Sequence, residues 1–381
     1  MIKPDYSGKC VTKIVPTVEH ILGLKNGETM VDERSDKVLL VVIDGLGYKK
    51  LRELAGQDEE LEGILSEFEM EKITTSFPTS TVPGLFSILS GKPVGRHGLF
   101  EWVSYSEELD MRYSPLKFGA VEDEDKDKFE EEAIKEKIWP ETVPDILSSN
   151  VEKYKIQPDD IIGEETKYRK PYGNIVEAFV KTRNAIQGEN GKSFFYLYIS
   201  ALDTTNHENG PNEEESEELT RDLFRLLKKH IIEKLEDIAV VVTSDHGFMD
   251  IENKVYMEDG SDLAERIFPH LKEQGGRKIK PIGDPRTVNF HVKESKAEKV
   301  MDILNEELDC EFEVYRTEKM IEEGLFSDNG VSKRFEQSLG EVTLVMRGKS
   351  MIIFEPYDEY EGMHGGLTED ELYVPLLSKI L

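Results

Sequence analysis

The chain is short of positive charge, of cysteine and of long apolar runs, and each shortage removes a class of protein. Its 381 residues carry 48 Lys plus Arg against 78 Asp plus Glu, a formal net charge of −30. A protein that grips polyphosphate backbones through its surface presents Lys and Arg in excess, so nucleic acid polymers are not expected partners. An anionic membrane surface is disfavoured by the same sign. Cys10 and Cys310, neither in a C-x-x-C pair, are too few for a disulfide framework and read as free thiols. No run approaches the roughly 18 apolar residues of a membrane span, and Met1-Ile2-Lys3-Pro4-Asp5 lacks a basic region followed by an apolar stretch. The expectation is a soluble, cytoplasmic protein. With 34 Lys to 14 Arg, and about twice as much Glu as Asp, the acidity fits extreme halophily poorly.

What is present is enough apolar material for a large core, 38% hydrophobic and 9% aromatic. Roughly 150 residues per domain would allow two or three units. Three short apolar runs read as buried parallel strands: Val38–Ile43, Phe194–Ile199 and Ile238–Thr243. They are β-branched or aromatic, too short for helices, and do not alternate with polar residues. Each ends at an aspartate, Asp44, Asp203 or Asp245. In open α/β sheets ligands bind at the carboxyl ends of the strands, so three carboxylates could converge there. Helical periodicity over Lys49–Leu61 and from Glu213 to Asp237 separates the strands, which predicts an α/β fold with a doubly wound, mostly parallel sheet and helices on both faces.

Two stretches interrupt the alternation. Residues 102–190 are polar, contain the charge run Val121–Lys128, read as a solvated loop, and form an expected insertion or cap. Residues 264–360 read as a smaller inserted α/β unit, with strand Val288–Val292, helix Lys296–Leu308 and strand Phe312–Tyr315. No repeat and no Pro-rich or Gly/Ser-rich linker divides the chain, so residues 1–381 are expected to form one catalytic domain with insertions.

Several residues could carry chemistry. Asp203 and His207 form D-x-x-x-H, and Asp245-His246 are adjacent, both at strand ends. Each pattern is expected roughly 0.5 times by chance at this composition, and each has a plain reading as a helix cap or a turn. Carboxylate with neutral imidazole is also a good ligand set for Zn²⁺ or Mn²⁺. Asp44-Gly45-Leu46-Gly47 lacks the third glycine of a dinucleotide fingerprint and the Gly-Lys-Ser/Thr of a P-loop. Pro83 and Gly91 bracket a short helix that places Thr81 at its N-cap, worth about 1 kcal/mol. The same position suits an alkoxide nucleophile at the positive end of a helix dipole. His364, in Gly362-Met363-His364-Gly365-Gly366, would by itself read as a loop histidine.

In order along the chain, I-D-G-L-G at 43–47, F-P-T-S-T at 77–81, S-G-K-P-V-G-R-H-G at 90–98, D-x-x-x-H at 203–207, S-D-H-G at 244–247 and H-G-G-L-T-x-x-E at 364–371, with V-P-L-L at 374–377, resemble the alkaline phosphatase superfamily. The similarity is to its type I phosphodiesterase/nucleotide pyrophosphatase branch. It implies an alkaline-phosphatase-like fold and a hydrolase acting on phosphoric ester or anhydride bonds. It further implies one divalent ion on Asp44, Asp245 and His246 that also binds Thr81, and a second on Asp203, His207 and His364. Two ions, Zn²⁺ or Mn²⁺, would clamp the phosphoryl group while Thr81 attacks and forms a phosphothreonine. Counting back from Gly91 as in the relatives selects Thr81, with Thr79 and Ser80 as outside alternatives.

The departures bear on substrate. Thr81 and Leu85 stand where sulfatases carry Cys and Arg, and no Arg lies between Thr81 and Gly91 to clamp a monoester. The resemblance therefore implies a small phosphodiester or pyrophosphate substrate. Alternatives are a phosphomonoesterase or phosphomutase on the same two-metal site, or a non-catalytic phospholigand-binding protein. The Asn that usually helps hold the transferring phosphate is absent from Leu99–Ser104, where Glu101 would repel an anion. His97 reads as structural. Tyr168-Arg169-Lys170 is a compact basic spot that could contact an anion or lie on the surface.

Overall fold

The computed structural model describes residues 2–27, 29–129, 147, 150–158, 168–354 and 360–381. A seven-stranded sheet forms its centre, in the order Glu69–Thr74, Tyr373–Ile380, Ala239–Thr243, Lys37–Ile43, Ser193–Ile199, Glu152–Pro158, Arg169–Tyr172. Strand Lys37–Ile43 pairs parallel with Ser193–Ile199 and with Ala239–Thr243. Tyr373–Ile380 runs antiparallel between Ala239–Thr243 and Glu69–Thr74. The apolar runs are continuous because both faces of the sheet are covered. Leu39, Val41 and Ile43 pack under helices Tyr48–Ala55, Glu59–Leu65, Ile175–Gln187 and Glu214–Leu227, while Val38, Leu40 and Val42 pack under Ile14–Ile21 and Thr81–Ser90. Among the described residues no helix is long and apolar enough to cross a membrane. Cys10 is buried, Cys310 half-buried, and both are free.

Some boundaries move for local reasons. The helix expected over Lys49–Leu61 breaks at Gly56, and Asp58 caps a new helix by accepting from the Glu60 and Leu61 N–H groups. The helix from Glu214 ends at Leu227 and continues as a π-turn over Lys228–Ile232. Thr81 is the first helical residue rather than the N-cap, which is Ser80 at φ −136° and ψ 162°.

The insertions divide differently from the sequence reading. Within 102–190, strands Ser104–Ser106, Met111–Ser114 and Gly119–Ala120 make a separate small sheet, whereas Glu152–Pro158, Arg169–Tyr172 and Ile175–Gln187 belong to the central layer. Residues 130–146, 148–149 and 159–167 of that stretch lie outside the described residues. The charge run is not a plain solvated loop: Asp123–Asp125 is a turn of 3-10 helix, and Asp125 is buried against Arg277 at 3.1 Å. Arg169 and Lys170 stand on the outermost strand of the central sheet. In the second insertion a four-stranded sheet runs Ile282–Asp284, Thr287–Phe290, Val342–Met346, Phe312–Arg316, with helix Ala297–Glu307 burying Val300, Ile303 and Leu304.

Candidate active site

The three aspartates reach one place because three neighbouring parallel strands end there. Asp44 follows Lys37–Ile43, Asp245 lies just beyond Ala239–Thr243, and Asp203 begins helix Ala201–Asn209, which follows Ser193–Ile199. His207 lies one turn after Asp203 on the same helix face, its Nε2 3.5 Å from Asp203 Oδ1. His364 comes from the distant loop, 3.7 Å from the same oxygen. Two groups of donors result, Asp44 with Asp245 and His246, and Asp203 with His207 and His364, each with donor atoms within 4.8 Å of one another. His246 Nε2 lies 3.1 Å from Asp44 Oδ1 and 3.1 Å from the Thr81 hydroxyl.

Close packing permits this approach at two glycines. Gly45 has φ +77°, and a Cβ there would meet the Phe248 ring at 2.9 Å. A Cβ on Gly84 would stand 2.4 Å from the Asp245 carbonyl oxygen, so the Thr81 helix can lie against the ligand loop only with glycine at this position.

Each ligand is oriented from behind. Asp44 Oδ2 accepts from the Tyr198 hydroxyl, and Asp245 Oδ1 accepts from the His246 N–H at 3.1 Å. His207 Nδ1 donates to the Gly362 carbonyl at 3.0 Å and His246 Nδ1 to the Gly247 carbonyl at 3.1 Å, which turns both Nε2 atoms inward. Asp44 Oδ1, Asp203 Oδ1, Asp245 Oδ2 and His364 Nδ1 are left buried with no hydrogen bond. Orphaned carboxylate oxygens beside inward-facing imidazoles are costly unless a cation meets them, so the residues present fit a metal pair.

The electrostatics agree. Burial, then the charge of Asp44, pushes Asp203 and Asp245 well above the usual carboxylate range. Burial pulls His246 down, but Asp245, Asp44 and Asp203 outweigh it and hold the imidazole up at about 10. Burial lowers His207 to about 4, and burial with the neighbouring His246 and His207 lowers His364 well below its ordinary value. Thus the buried carboxyls resist full ionisation and draw His246 toward its charged form.

The other hydroxyls near Thr81 have other partners. Thr75 donates to the Asp245 carbonyl, Thr79 to the Gly366 carbonyl at 2.7 Å, and Ser80 to Asp284 Oδ2 at 3.2 Å. His97 is buried in a turn, its Nδ1 accepting from the Leu99 N–H at 3.2 Å. Glu101 is fully buried, and its Oε2 accepts from the Trp102 N–H at 3.1 Å.

Sequence reasoning missed the support of His364. Arg286, fully buried, donates from Nε to Glu371 Oε1 at 2.6 Å and from Nη2 to Oε2 at 3.1 Å, and Glu371 accepts from the Gly366 N–H at 2.8 Å. The pair pins the histidine loop to the inserted sheet. Glu371→Gln leaves a buried guanidinium uncompensated and is expected to cost roughly 3–5 kcal/mol in denaturant unfolding. A loss below about 1 kcal/mol would show that the loop is held by other contacts.

A cavity of about 930 Å³ opens over the clusters, lined among others by Thr81, Trp102, Lys117, Asp284 and Tyr360. The Lys117 ammonium lies 5.3 Å from the Trp102 ring centroid, and the Tyr360 ring stands 4.4 Å from that of His207.

Comparison with known proteins places this geometry. Murine ectonucleotide pyrophosphatase/phosphodiesterase 5 superposes with a TM-score of 0.65 at 19% identity, over 90% of this chain and 87% of that one. Its inactive Thr-to-Ala variant in complex with AMP gives 0.64 at 18%, over 90% and 87%. The human counterpart gives 0.63 at 17%, also over 90% and 87%. No curated protein sequence matches this chain significantly. The sequence profile of type I phosphodiesterase / nucleotide pyrophosphatase, by contrast, matches residues 38–367, a span that contains Thr81 and both clusters. The chain belongs to the type I phosphodiesterase/nucleotide pyrophosphatase family of the alkaline phosphatase superfamily, hydrolases of phosphoric ester and anhydride bonds.

Proposed function

We propose that this hydrolase cleaves a phosphodiester or pyrophosphate bond of a small, nucleotide-like substrate through a phosphothreonine on Thr81. The observation that carries the proposal is the place of that hydroxyl, on the first turn of a buried helix and 3.1 Å from His246 Nε2, beside the two ligand clusters. Asp44, Asp245 and His246 would hold one divalent cation, and Asp203, His207 and His364 a second. Mixed oxygen and nitrogen donors suit Zn²⁺ or Mn²⁺. When bound, such ions polarise phosphoryl oxygens and lower the pKa of a hydroxyl they touch.

The protein's own groups do the rest. Thr81 Oγ forms the new bond to phosphorus as the bond to the leaving oxygen breaks, and water then cleaves the phosphothreonine and restores the hydroxyl. The Thr81 and Val82 N–H groups lie in the first helical turn, ahead of the Gly84 to Ser80 bond that opens the ladder, and favour an anion there. Trp102 and Tyr360 offer flat apolar surface, and Lys117 is the one Lys or Arg among the described residues that line the cavity. These features suit a leaving group with a planar ring and an anionic part, as does the AMP in the complex of the murine relative.

A comparison of a bis-aryl phosphate, an aryl monophosphate and a nucleoside triphosphate with Zn²⁺ or Mn²⁺ tests the substrate class. The diester or the triphosphate is expected to exceed the monoester in kcat/KM by at least about tenfold, since a monoester's extra charge meets no clamping Arg. A monoester preference of that size would overturn the diester and pyrophosphate assignment.

A further inference from the structure

One wall of the cavity over Thr81 comes from the small three-stranded sheet and the residues that border it. Val103, Ser114, Lys117, Gly119, Ala120 and Val121 all line the cavity. The last strand of that sheet, Gly119–Ala120, is two residues long and, among the described residues, pairs on one side only, with Met111–Ser114. A strand this short has too few ladder bonds to fix its own position. Lys117, in the turn that leads into it, is therefore placed by whatever holds the chain just beyond.

That hold comes from the second insertion. Glu273–Gln274 and Arg277–Lys278 form an antiparallel hairpin, turned by Gly275 and Gly276 at φ +57° and +83°. The hairpin lies so close to the small sheet that a Cβ on Gly275 would stand 2.5 Å from Asp110 Oδ2. Gln274 Oε1 accepts from the Tyr105 hydroxyl at 2.8 Å. Arg277 donates from Nη1 and Nη2 to the two oxygens of Asp125 at 3.1 and 3.2 Å, and from Nη1 to Glu124 as well. Asp125 follows the cavity-lining Val121 by only a turn of chain, and its side chain is 3% exposed. In between, Glu122 accepts from Arg112 Nε at 2.8 Å, and Arg112 Nη1 donates to the Pro281 carbonyl at 2.9 Å. A planar fork on a nearly closed carboxylate fixes direction as well as distance, which a freely exposed pair does not.

We propose that Arg277 is a positioning residue for the active site: by gripping Asp125 and Glu124 it holds the strand and turn that present Lys117, so the inserted unit sets the affinity for the anionic part of the leaving group. The second half rests on Lys117 meeting the leaving group, as proposed for the function; the first stands on the contacts alone. Met111 and Tyr113 pack with Val82 and Phe86 of the Thr81 helix, so the inner part of the small sheet keeps an apolar anchor when the ion pair is lost. Loss of the grip therefore loosens the outer wall and leaves Thr81 and the two clusters in place. The effect belongs to substrate binding, not to the chemical step.

Arg277→Gln, at a side chain already 38% exposed, tests this by hydrogen exchange and by kinetics. The amides of Lys117–Val121 should exchange at least about tenfold faster, with the central strands unchanged. KM for a nucleoside triphosphate should rise by about five- to tenfold with kcat within about twofold, while KM for a bis-aryl phosphate, which has no second anionic group, stays near that of the wild type. Unchanged exchange overturns the anchoring whatever happens to KM. An equal rise in KM for both substrates, or a fall in kcat of the same size, overturns the link to Lys117, since it would report a general loosening of the site. So does a KM for the triphosphate that rises in Lys117→Ala and not in Arg277→Gln. Faster exchange with KM indifferent to both variants upholds the anchoring and counts against the leaving-group reading, so the two failures are told apart. Should Arg277→Gln fold poorly, Arg277→Lys, which keeps the charge without the fork, must still speed exchange of the same amides; if it does not, the proposal falls.

Discussion

Thr81→Ala is expected to lower turnover by on the order of 10⁴-fold or more while metal content and the unfolding transition stay near those of the wild type. The side chain bears no cap and no load: Ser80 occupies the N-cap, and the Thr81 hydroxyl has His246 Nε2 as its hydrogen-bond partner. Removing it therefore deletes the atom that would form the bond to phosphorus and little else. Thr81→Ser, which keeps an oxygen there, should recover a large share of the lost rate. Full activity in Thr81→Ala would place the nucleophile elsewhere, yet Thr75, Thr79 and Ser80 are each committed to another partner.

Removal of metal is the second large effect. Dialysis against a chelator should reduce turnover by more than about 10³-fold, with recovery on adding Zn²⁺ or Mn²⁺. It should also lower stability, because an ion that binds only the native state at a hundred times its Kd contributes about 2.7 kcal/mol. The orphaned oxygens of Asp44, Asp203 and Asp245 explain why the loss is structural as well as catalytic: without a cation, three carboxylates are held together in a buried site. A chelated protein with unchanged melting temperature and undiminished turnover would refute the two-metal assignment.

How much of this was legible in the sequence depended on the range of the signal. The sheet was visible in Val38–Ile43, Phe194–Ile199 and Ile238–Thr243 because burial on both faces imposes a continuous apolar run. Asp44, Asp203 and Asp245 could be picked out because a parallel sheet sends its strand ends to one side. Thr81 needed the spacing to Gly91, and His364 needed the ordered motifs, since no local pattern separates either from a cap or a loop residue. Asp284 stayed hidden, because it sits at the end of a short strand of the inserted sheet and only the tertiary fold brings its Oδ2 to the Ser80 hydroxyl. Glu371 stood in the H-G-G-L-T-x-x-E motif, but its ion pair with Arg286 escaped for the same reason, as a pair between distant segments leaves no periodicity. The break at Gly56 turned on one residue that costs a helix about 1 kcal/mol, too weak to decide against a strong apolar period.

The two clusters differ in their cover. Asp44, Asp245 and His246 are closed off almost completely, whereas Asp203 and His207 keep side-chain exposures of 18% and 14% at the cavity floor. An ion held by the closed group would meet the cavity only past Thr81, so its exchange would be slower than that of an ion in the open group. An ion in the open group would instead equilibrate with the surrounding medium on the timescale of ligand exchange. Such a protein would carry a record of the metal present when it folded in one position, and a running measure of present supply in the other.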